Sequence, residues 1–433
     1  MEIGIIGGGA TGLTAGYLLS KKGHTVAVYE KSEEDLGGIA GAVPIHNAYI
    51  DKFYHHIFTS DTDILSLIEE LGLSGDMLWE EPKNGLYLNG KLYPFTNPID
   101  LITFPEIGLV SRFRMGLAVL LAKNVRDFRD LEDITAKDWL IQKTGRDAYE
   151  KIWQPLLYSK FDRDADQISG VWIWNKFKLR GSTRQNISKE CLGYLRGSFF
   201  SLYRRLAEEI LSRQNIVIPS PAVSISPAPG GKVQIQSENG MNIIYDKALF
   251  TASPGELCQL CEFPEDYRQK TLKIRYKANI CMTLFVKKPV SDYYWITVAE
   301  ENAPFVLCVE HTNLIRDPDY GDCHILYLSR YLDVSDLFFG ASDDEISAVF
   351  LAYLSRLFPG FDPDDILGSH VFRSTYAQPV VPLRHSGNIL PMETPIENLY
   401  LAGMSQIYPE DRGQNYAVRM GREAAEILMT SKE

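Results

Sequence analysis

The feature that most constrains the fold lies at the start of the chain, where a short apolar run precedes three spaced glycines. Residues 2–6 (EIGII) have the continuous apolar pattern of a strand buried on both faces of a parallel sheet. Gly7, Gly9 and Gly12 follow at the spacing G-x-G-x-x-G. The first glycine permits a tight turn, the second lets the backbone approach a pyrophosphate, and the third lets a helix pack on the strand. The segment therefore predicts the first half of a dinucleotide-binding βαβ unit.

A helix is predicted directly after the glycines, over residues 13–22, and Gly23 ends it. The N–H groups at the start of such a helix have no partner within the helix and favour a phosphate group. Ala10 and Thr11 lie between the second and third glycines. We therefore expect both residues to take part in the same phosphate-binding turn.

An acidic residue ends the second predicted strand, residues 25–29. Glu30 stands where a carboxylate accepts hydrogen bonds from a ribose diol, and Lys31 adjoins it. An acid at this position disfavours a 2′-phosphate, so NADP is not expected. Gly37 and Gly38 follow soon afterwards, and a second glycine pair so close to the acid suits a loop folded against an extended dinucleotide such as FAD. A plain surface turn is the alternative for this pair.

The rest of the chain contains no repeat. Residues 86–93 predict a β-hairpin whose turn is Asn89-Gly90. Residues 98–195 are mostly helical in pattern and rich in aromatic side chains, and residues 272–332 alternate as an antiparallel sheet does. Buried-strand patterns and amphipathic helices recur in residues 198–254 and again near the C-terminus, so signals of nucleotide binding lie at both ends and in the middle.

This distribution predicts an α/β protein of two interleaved domains. One is a Rossmann-like FAD-binding domain with a parallel sheet, and the other is an α+β substrate domain with an antiparallel sheet and a helical part. The FAD-binding domain is predicted to comprise residues 1–75, 196–270 and 386–433, and the substrate domain residues 76–195 and 271–385.

The net charge gives no basic footprint for a nucleic acid, because 44 Lys and Arg stand against 56 Asp and Glu, a formal charge of −12. The longest apolar run, residues 115–122, is far shorter than the ~20 residues that span a bilayer. No basic, apolar leader pattern precedes the first predicted strand. We therefore expect a soluble cytoplasmic protein with a small-molecule substrate, no nucleic-acid partner and no integral membrane segment; the oligomeric state is left open.

The histidines and cysteines do not indicate a metal site. The histidines lack metal-ligand spacing. Cys258 and Cys261 form a lone C-x-x-C pair with no second pair at zinc spacing. We expect two buried or half-buried thiols, with redox or metal use as the alternative.

Motifs from both ends of the chain resemble the FAD-dependent amine oxidase superfamily, which includes flavin amine oxidases, protoporphyrinogen oxidases and phytoene desaturases. The N-terminal glycines with their acid, residues 401–403 (LAG) and residues 421–425 (GREAA) occur in the order of that family. The resemblance covers most of the chain and implies FAD as the cofactor. It also implies FAD contacts by Val223 and Ala252, which fit the middle FAD segment of the family, and by Gly403.

The same resemblance implies that the start of the C-terminal helix points at the flavin. A helix N-terminus stabilises the negative charge that a reduced flavin develops. Asn415, Tyr416 and Ala417 would supply the amides at that position.

One position departs from the family pattern. The family usually has an Asp after Leu-Ala-Gly that holds the ribityl chain, and this sequence has Met404 there. Asp411 or Arg412, a few residues further on, would then take over the hydrogen bond. The alternative for Asp411 and Arg412 is a plain surface ion pair.

A second resemblance is to the UDP-galactopyranose mutases, which share the FAD fold but use reduced flavin as a nucleophile with no net redox change. Residues 49–58 (YIDKFYHHIF) and 90–95 (GKLYPF) resemble the corresponding stretches of those enzymes. The mutase pattern has a further histidine where this chain has Thr59. Arg180 and Arg184 would be the local cations for a sugar diphosphate.

His55 and His56 are an adjacent pair, and the superfamily resemblance places them near the isoalloxazine edge. A histidine there would move a proton at neutral pH; a structural histidine bonded to the backbone is the alternative. Lys160 and Lys277 are candidates for the lysine that holds a water near flavin N5 in the amine oxidases.

We therefore predict an FAD-dependent oxidoreductase that oxidises a C–N or C–C bond of a small or apolar metabolite by hydride transfer to flavin N5. The alternative is a mutase-like, non-redox flavoenzyme acting on a nucleotide sugar. A prenyl-protein carrier of this fold without a flavin is disfavoured, because the N-terminal glycines and Glu30 are intact.

Residues 101–122 form an apolar stretch interrupted by Arg112 and Arg114. The pattern fits a membrane-touching or lipid-admitting pair of helices, or an amphipathic cap on the substrate domain. Peripheral membrane contact is therefore left open.

Overall fold

The computed structural model describes residues 1–31, 36–182 and 190–431 of the chain. The strands are β1 (Glu2–Ile6), β2 (Thr25–Glu30), β3 (Ala42–Ile45), β4 (Ala48–Asp51), β5 (Ile57–Phe58), β6 (Met77–Glu80), β7 (Asn84–Leu88), β8 (Lys91–Pro94), β9 (Leu192–Leu195), β10 (Ile216–Pro219), β11 (Ala222–Ala228), β12 (Lys232–Ser237), β13 (Asn242–Tyr245), β14 (Lys247–Phe250), β15 (Tyr276–Val286), β16 (Trp295–Val298), β17 (Leu307–Glu310), β18 (His324–Leu332), β19 (Ile366–Pro379) and β20 (Leu399–Leu401).

Helices separate and cover these strands. They are α1 (Ala10–Lys21), α2 (Thr62–Glu70), α3 (Pro98–Thr103), α4 (Leu109–Leu121), α5 (Ala136–Thr144), α6 (Arg146–Ala148), α7 (Gln154–Phe161), α8 (Gly170–Ser182), α9 (Phe200–Ser212), α10 (Pro254–Leu260), α11 (Glu265–Leu272), α12 (Asp343–Leu357) and α13 (Gln414–Thr430). A π-helical turn, Tyr149–Trp153, joins α6 to α7.

A parallel sheet with the order β10-β2-β1-β14-β20 organises the first half of the fold. Helix α1 packs against α9 and α13 on one face of this sheet. The β11-β12-β13 sheet covers the other face, where Ile235 and Tyr245 lie against Gly4 of β1. Because both faces are covered, β1 is apolar after Glu2 and β14 is apolar after Lys247, which is the pattern that the sequence shows.

A larger sheet with the order β19-β15-β18-β17-β16-β7-β8 forms the second half. Its buried side packs against α12 through Phe305 and Phe350, whose ring centroids are 5.4 Å apart. The predicted hairpin is confirmed, since Asn89 and Gly90 connect β7 to β8 with φ values of 53° and 75°. The pairing of β7 with β16 is parallel, which differs from the antiparallel sheet expected for this region.

Helices α4, α5, α7 and α8 form a layer at one end of the larger sheet. Trp139, Trp172 and Trp174 lie in its core, and the indole N–H of Trp174 donates to the carbonyl of Ala122 at 2.7 Å. Within the described residues, no helix combines the length and the apolar character needed to cross a bilayer.

The sheets support the proposed division into two interleaved domains. The parallel sheet draws its strands from the segments 1–75, 196–270 and 386–433, and the larger sheet draws its strands from 76–195 and 271–385. The small β5-β9-β6 sheet joins the two sets of segments. The domain bounds themselves stay a proposal.

Helix α1 begins at Ala10, three residues before the predicted start. The carbonyl of Gly9 already accepts from the N–H of Leu13 at 2.9 Å, so the helix grows directly out of the glycine turn. Gly12 consequently lies inside the first turn, where a Cβ atom would stand 2.0 Å from the carbonyl oxygen of Gly7.

Replacing Gly12 with Ala is therefore expected to lower the free energy of unfolding by about 1–3 kcal/mol, because α1 must shift away from β1. Denaturant unfolding of the purified protein measures this loss. Gly116→Ala in α4 is the matched control, since no atom lies within 4 Å of its Cβ position. The control is expected to gain about 0.5–1 kcal/mol. Equal stability of the two variants would contradict the close backbone packing at Gly12.

Candidate functional site

Three loops meet at the carboxyl edge of the parallel sheet. The hydroxyl of Thr251, which follows β14, donates to the carbonyls of Ile6 and Gly7 at 3.0 and 3.1 Å. Gly403, which follows β20, stands where a Cβ atom would lie 2.9 Å from the carbonyl oxygen of Ala252. The loops after β1, β14 and β20 therefore form one continuous edge, which is where open α/β sheets bind their ligands.

The second glycine pair folds onto the first glycine motif at this edge. The N–H of Gly37 donates to the carbonyl of Gly8 at 2.8 Å, and Gly37 forms a parallel bridge with Gly9. A Cβ atom on Gly38 would lie 3.5 Å from the Cα of Gly9, whereas no atom lies within 4 Å of the Cβ position of Gly9 itself. The sequence left open a plain surface turn, and the structure instead packs Gly37 and Gly38 against the glycine motif.

Glu30 is held at the end of β2 by backbone donors. Its Oε2 accepts from the N–H of Gly8 at 2.7 Å, and its Oε1 accepts from the N–H of the exposed Lys31 at 2.6 Å. Strand β10 pairs with β2 up to Glu30 and leads into β11, where Val223 is largely exposed. The carboxylate is therefore oriented toward the glycine loop, as recognition of a ribose next to a pyrophosphate requires.

Helix α13 begins beside the glycine loop. The Thr11 hydroxyl donates to the carbonyl of Ala417 at 3.2 Å, and a Cβ atom on Gly421 would lie 2.6 Å from the carbonyl of Thr11. The phenol of Tyr203 donates to Oε1 of Gln414 at 2.5 Å, and the Tyr203 ring lies against Gly37. The start of α13 and both glycine motifs are thus parts of one site.

The residues present fit an FAD molecule at this edge. The N-cap of α13 is Gly413, which offers no capping side chain, so the positive end of the helix dipole stays available to a ligand. Nε2 of Gln414 is buried and donates to no acceptor within the described residues. The sheet edge therefore offers a ligand both open space at Gly9 and an unpaired hydrogen-bond donor at Gln414.

Each of the three residues expected to supply amides at the start of α13 has a contact within the protein. Oδ1 of Asn415 accepts from the N–H groups of Asp63 and Ile64 at 2.9 and 3.0 Å and so caps α2. The N–H of Ala417 donates to the carbonyl of Gly413 at 3.0 Å inside the helix. The ring of Tyr416 lies under the Arg419 guanidinium, 4.9 Å away. Cofactor contacts by these residues stay a prediction.

Asp411 and Arg412 do not form an exposed ion pair with each other. Nε2 of Gln378 donates to Oδ1 of the buried Asp411 at 2.9 Å, and Nζ of Lys176 lies 2.5 Å from its Oδ2. Arg412 donates to Oε1 of Gln378 at 3.0 Å and to the phenol oxygen of Tyr331 at 2.6 Å. Met404 is half-buried nearby, in the turn that follows β20.

These side chains form a cationic cluster, which we define as Lys160, Lys176, Asp411, Arg412 and Tyr331. Nζ of Lys160 lies 3.8 Å from Oδ2 of Asp411 and 5.4 Å from the ring centroid of Tyr331. Burial lowers the pKa of Lys160 to about 7. Asp411 raises this pKa, but Lys176 and Arg412 lower it further, so the net shift is downward. Burial would raise the pKa of Asp411, but Lys176, Lys160 and Arg412 outweigh burial and hold that pKa well below its usual range.

His55 and His56 are half-buried next to the cluster. Nδ1 of His56 lies 3.0 Å from the phenol oxygen of Tyr294. Burial, together with Arg412, lowers the pKa of His55 to about 3, and burial with Lys176 lowers the pKa of His56 to about 4. Both imidazoles are therefore neutral at pH 7, which favours a hydrogen-bonding role over proton transfer. A catalytic role for either histidine stays a prediction.

Asp51 is a buried acid that the sequence interpretation did not single out. Its carboxylate accepts from the phenol of Tyr194 at 2.5 Å and from the hydroxyl of Ser198 at 3.0 Å, and its Oδ1 lies 3.9 Å from Nδ1 of His55. Burial raises its pKa to about 7 in spite of these donors. The signal that could have found Asp51 is its position four residues before His55.

Lys277 lies outside the cationic cluster. It is fully buried, and its Nζ is 2.9 Å from both Asp164 and Asp333, so it ties a loop of the helical layer to the end of β18. Lys160 thus remains the candidate of the two lysines. Lys176 and Tyr331 were not singled out, because no spacing in the sequence links α8 and β18 to α13.

Other expectations concern cysteines and cations. Cys261 is buried and Cys258 half-buried, both as free thiols. Across residues 1–31, 36–182 and 190–431, no group of three or more His, Cys, Asp or Glu is arranged to hold a metal ion. Arg180 and Arg184 lie outside the residues whose side chains the structure describes.

A parallel sheet with this glycine edge, an acid at the end of β2 and a helix start beside them is the arrangement of an FAD-binding flavoprotein. The chain belongs to the flavin containing amine oxidoreductase family, whose model matches residues 10–429. The predictions of the fold class, of FAD as cofactor and of an FAD-dependent oxidoreductase class are thereby confirmed.

The curated relatives are distant. The chain is 25% identical over 202 residues to zeta-carotene desaturase of Zea mays, covering 41% of this chain and 35% of that protein. It is 28% identical over 190 residues to mitochondrial protoporphyrinogen oxidase of Nicotiana tabacum, covering 42% of this chain and 37% of that protein. The matched region thus spans just over a third of the length of either relative.

A solved structure of reduced UDP-galactopyranose mutase has the same fold over nearly its whole length. The TM-score is 0.77 at 14% identity, covering 100% of this chain and 96% of that one. At this identity the similarity shows a shared fold.

The open space at Gly9 gives a test of cofactor placement. Gly9 has a φ of −78°, which alanine adopts freely, so Gly9→Ala is expected to leave the stability of the apoprotein within about 1 kcal/mol of wild type. FAD affinity is expected to fall at least about tenfold, because the methyl group enters the space needed by the pyrophosphate. Fluorescence titration of apoprotein with FAD measures the affinity, and Gly116→Ala again serves as control. If the affinity for FAD were undiminished, the pyrophosphate of FAD would not bind next to Gly9.

Proposed function

We propose that the protein oxidises a C–C or C–N bond of a small or apolar metabolite, with bound FAD as the acceptor of the hydride. The observation that carries this proposal is the cationic cluster before the start of α13, in which Nζ of Lys160 lies 4.9 Å from the ring centroid of Trp172. The names of the relatives, a desaturase and a protoporphyrinogen oxidase, support oxidation as the reaction type.

The charge of the cluster limits the substrate. Lys176 and Arg412 place two positive charges beside one carboxylate, and that carboxylate is already neutralised by Lys176. A protonated amine would meet like charge in a partly desolvated site, which costs affinity. We therefore propose a neutral or anionic substrate rather than a cationic amine. The 36% exposure of the Lys176 side chain leaves the cluster open to such a molecule.

Lys160 is the proposed base. Oxidation of a C–C or C–N bond to a double bond removes a hydride from one atom and a proton from its neighbour. Because burial and neighbouring cations lower the pKa of Lys160 to about 7, its neutral amine is available near neutrality to accept that proton. Lys176 and Arg412 favour the neutral form of Lys160, whereas Asp411 favours its charged form and serves to position it.

A second candidate, a non-redox rearrangement of a nucleotide sugar, is favoured by the same cations. A sugar diphosphate is an anion that Lys176 and Arg412 would bind. The His55-His56 loop also resembles the mutase sequence. Thr59 in place of the further histidine argues against this candidate.

Anaerobic mixing of the oxidised holoenzyme with a panel of compounds separates the two. Porphyrinogens, apolar polyenes, putrescine and UDP-sugars are added in turn, and flavin absorbance at about 450 nm is followed. We expect loss of absorbance with a neutral or anionic compound and none with putrescine. Isomerisation of a UDP-sugar by dithionite-reduced enzyme, without bleaching by any member of the panel, would replace the proposal with the mutase function. Bleaching by putrescine would contradict the charge argument.

The rate of flavin reduction is expected to rise with pH through about 7, because the neutral form of Lys160 becomes populated above its pKa. In Lys160→Met this rise is expected to disappear, with the rate at pH 8 lowered about 10²-fold or more. Stopped-flow traces with the compound that reduces the flavin give the profile. Lys178→Met is the matched control on α8, where Lys178 covers the ring of Trp174, 4.9 Å away. An unchanged profile in Lys160→Met would exclude Lys160 as the base.

The expected cytoplasmic location stays a prediction.

A further inference from the structure

Helix α4 exposes large apolar side chains along one face. Leu109, Val110, Phe113 and Leu120 are each 70% exposed or more, and Leu117 and Leu121 are 40% and 47% exposed. These six side chains form the face that we call the α4 outer face. Its spacing of three and four residues is that of a single helical stripe.

The opposite stripe of α4 already makes the contacts that a packed helix needs. Ser111, Met115 and Ala118 are buried, and Ala122 just beyond the helix is buried as well. The carbonyl of Ala122 accepts from the indole of Trp174 on α8. The helix is thus apolar on both sides, and burial in the core accounts for only one of them.

Helix α3 extends the exposed surface. Ile99 and Ile102 are 70% and 61% exposed, whereas Phe104 and Ile107 in the connection to α4 are buried. Arg112 ties the two helices together, because its guanidinium donates to the carbonyls of Ile107 and Ile102 at 2.9 and 2.7 Å. A continuous apolar surface of this kind on a protein marks a site of interaction.

The charge of this segment specifies the partner. Residues 98–126, which contain α3 and α4, have four cations, Arg112, Arg114, Lys123 and Arg126, against two acids, Asp100 and Glu106, although the chain as a whole carries −12. Arg112 and Arg114 donate to backbone carbonyls, and in the part of the chain that the structure describes no carboxylate forms an ion pair with any of the four. The segment therefore carries a surplus of two positive charges next to the apolar face.

We propose that the α3–α4 surface binds an anionic lipid bilayer, with the α4 outer face inserted at the interface and the cations toward the headgroups. Apolar side chains on one face with Lys and Arg beside them are the combination by which helices lie in a membrane interface. A second copy of the chain would bring four further cations to the same surface, which disfavours self-association.

Sedimentation of the holoenzyme with vesicles tests this surface. Wild type is expected to bind vesicles of phosphatidylcholine with phosphatidylglycerol, to bind phosphatidylcholine alone more weakly, and to lose the difference at high salt. A triple variant, Val110→Gln with Phe113→Gln and Leu120→Gln, is expected to bind at least about tenfold more weakly. All three residues are exposed, so the flavin spectrum and melting temperature are expected to match wild type.

Two further variants sharpen the test. Leu272→Gln changes a leucine that is 71% exposed on α11, far along the chain, and is expected to bind vesicles like wild type. Lys123→Gln with Arg126→Gln is expected to abolish the preference for anionic vesicles while the weaker binding to phosphatidylcholine remains.

Failure of wild type to bind anionic vesicles, or equal binding by the triple variant, would overturn the proposal. Light scattering without lipid measures the molar mass and so tests whether the surface instead binds a second copy of the chain. A wild-type dimer that the triple variant converts to a monomer would assign the surface to self-association instead. None of these measurements depends on the enzymatic reaction.

Discussion

The backbone contact between Gly12 and Gly7 is the constraint on which the nucleotide-binding half depends. A Cβ atom at residue 12 would stand 2.0 Å from the Gly7 carbonyl, so only glycine lets α1 begin directly at the end of β1. From that turn, Gly37 bonds to Gly8 and α13 packs along α1 through Thr11. The cofactor edge is therefore built from backbone packed on backbone, which tolerates almost no change in side-chain size.

The contacts between the two halves contribute charge rather than shape. Asp411 is buried, and a lone carboxylate in that position would be costly. Lys176, Lys160 and Arg412 stabilise the charged carboxylate. Their positive charge is larger than the single negative charge of Asp411, so the cluster as a whole is positive. Burial with Lys176 and Arg412 lowers the pKa of Lys160, and burial with Arg412 keeps His55 neutral. The cations gathered around one buried acid therefore set both the proposed substrate charge and the proposed base.

Particular elements show where sequence patterns succeed. Helix α12 begins at Asp343 because Ser342 and Glu345 form a capping box, a signal that four neighbouring residues carry by themselves. The Asn89-Gly90 turn fixes its hairpin in the same local way. The parallel pairing of β7 with β16 had no such signal, because about two hundred residues separate the strands and no turn dictates their direction. The sequence likewise places Asn415 at the start of a helix, yet its side chain caps α2 and not the helix that contains it.

The sequence by itself determined the cofactor edge, since the spacing of Gly7, Gly9 and Gly12 and the position of Glu30 are local requirements of one turn and one strand. Only the tertiary structure decided the chemistry beside it. Lys160 and Lys176 come from α7 and α8, and Asp411 precedes α13, so their meeting depends on packing across the two halves. Burial and neighbouring charge set a pKa, and both exist only once distant segments have come together.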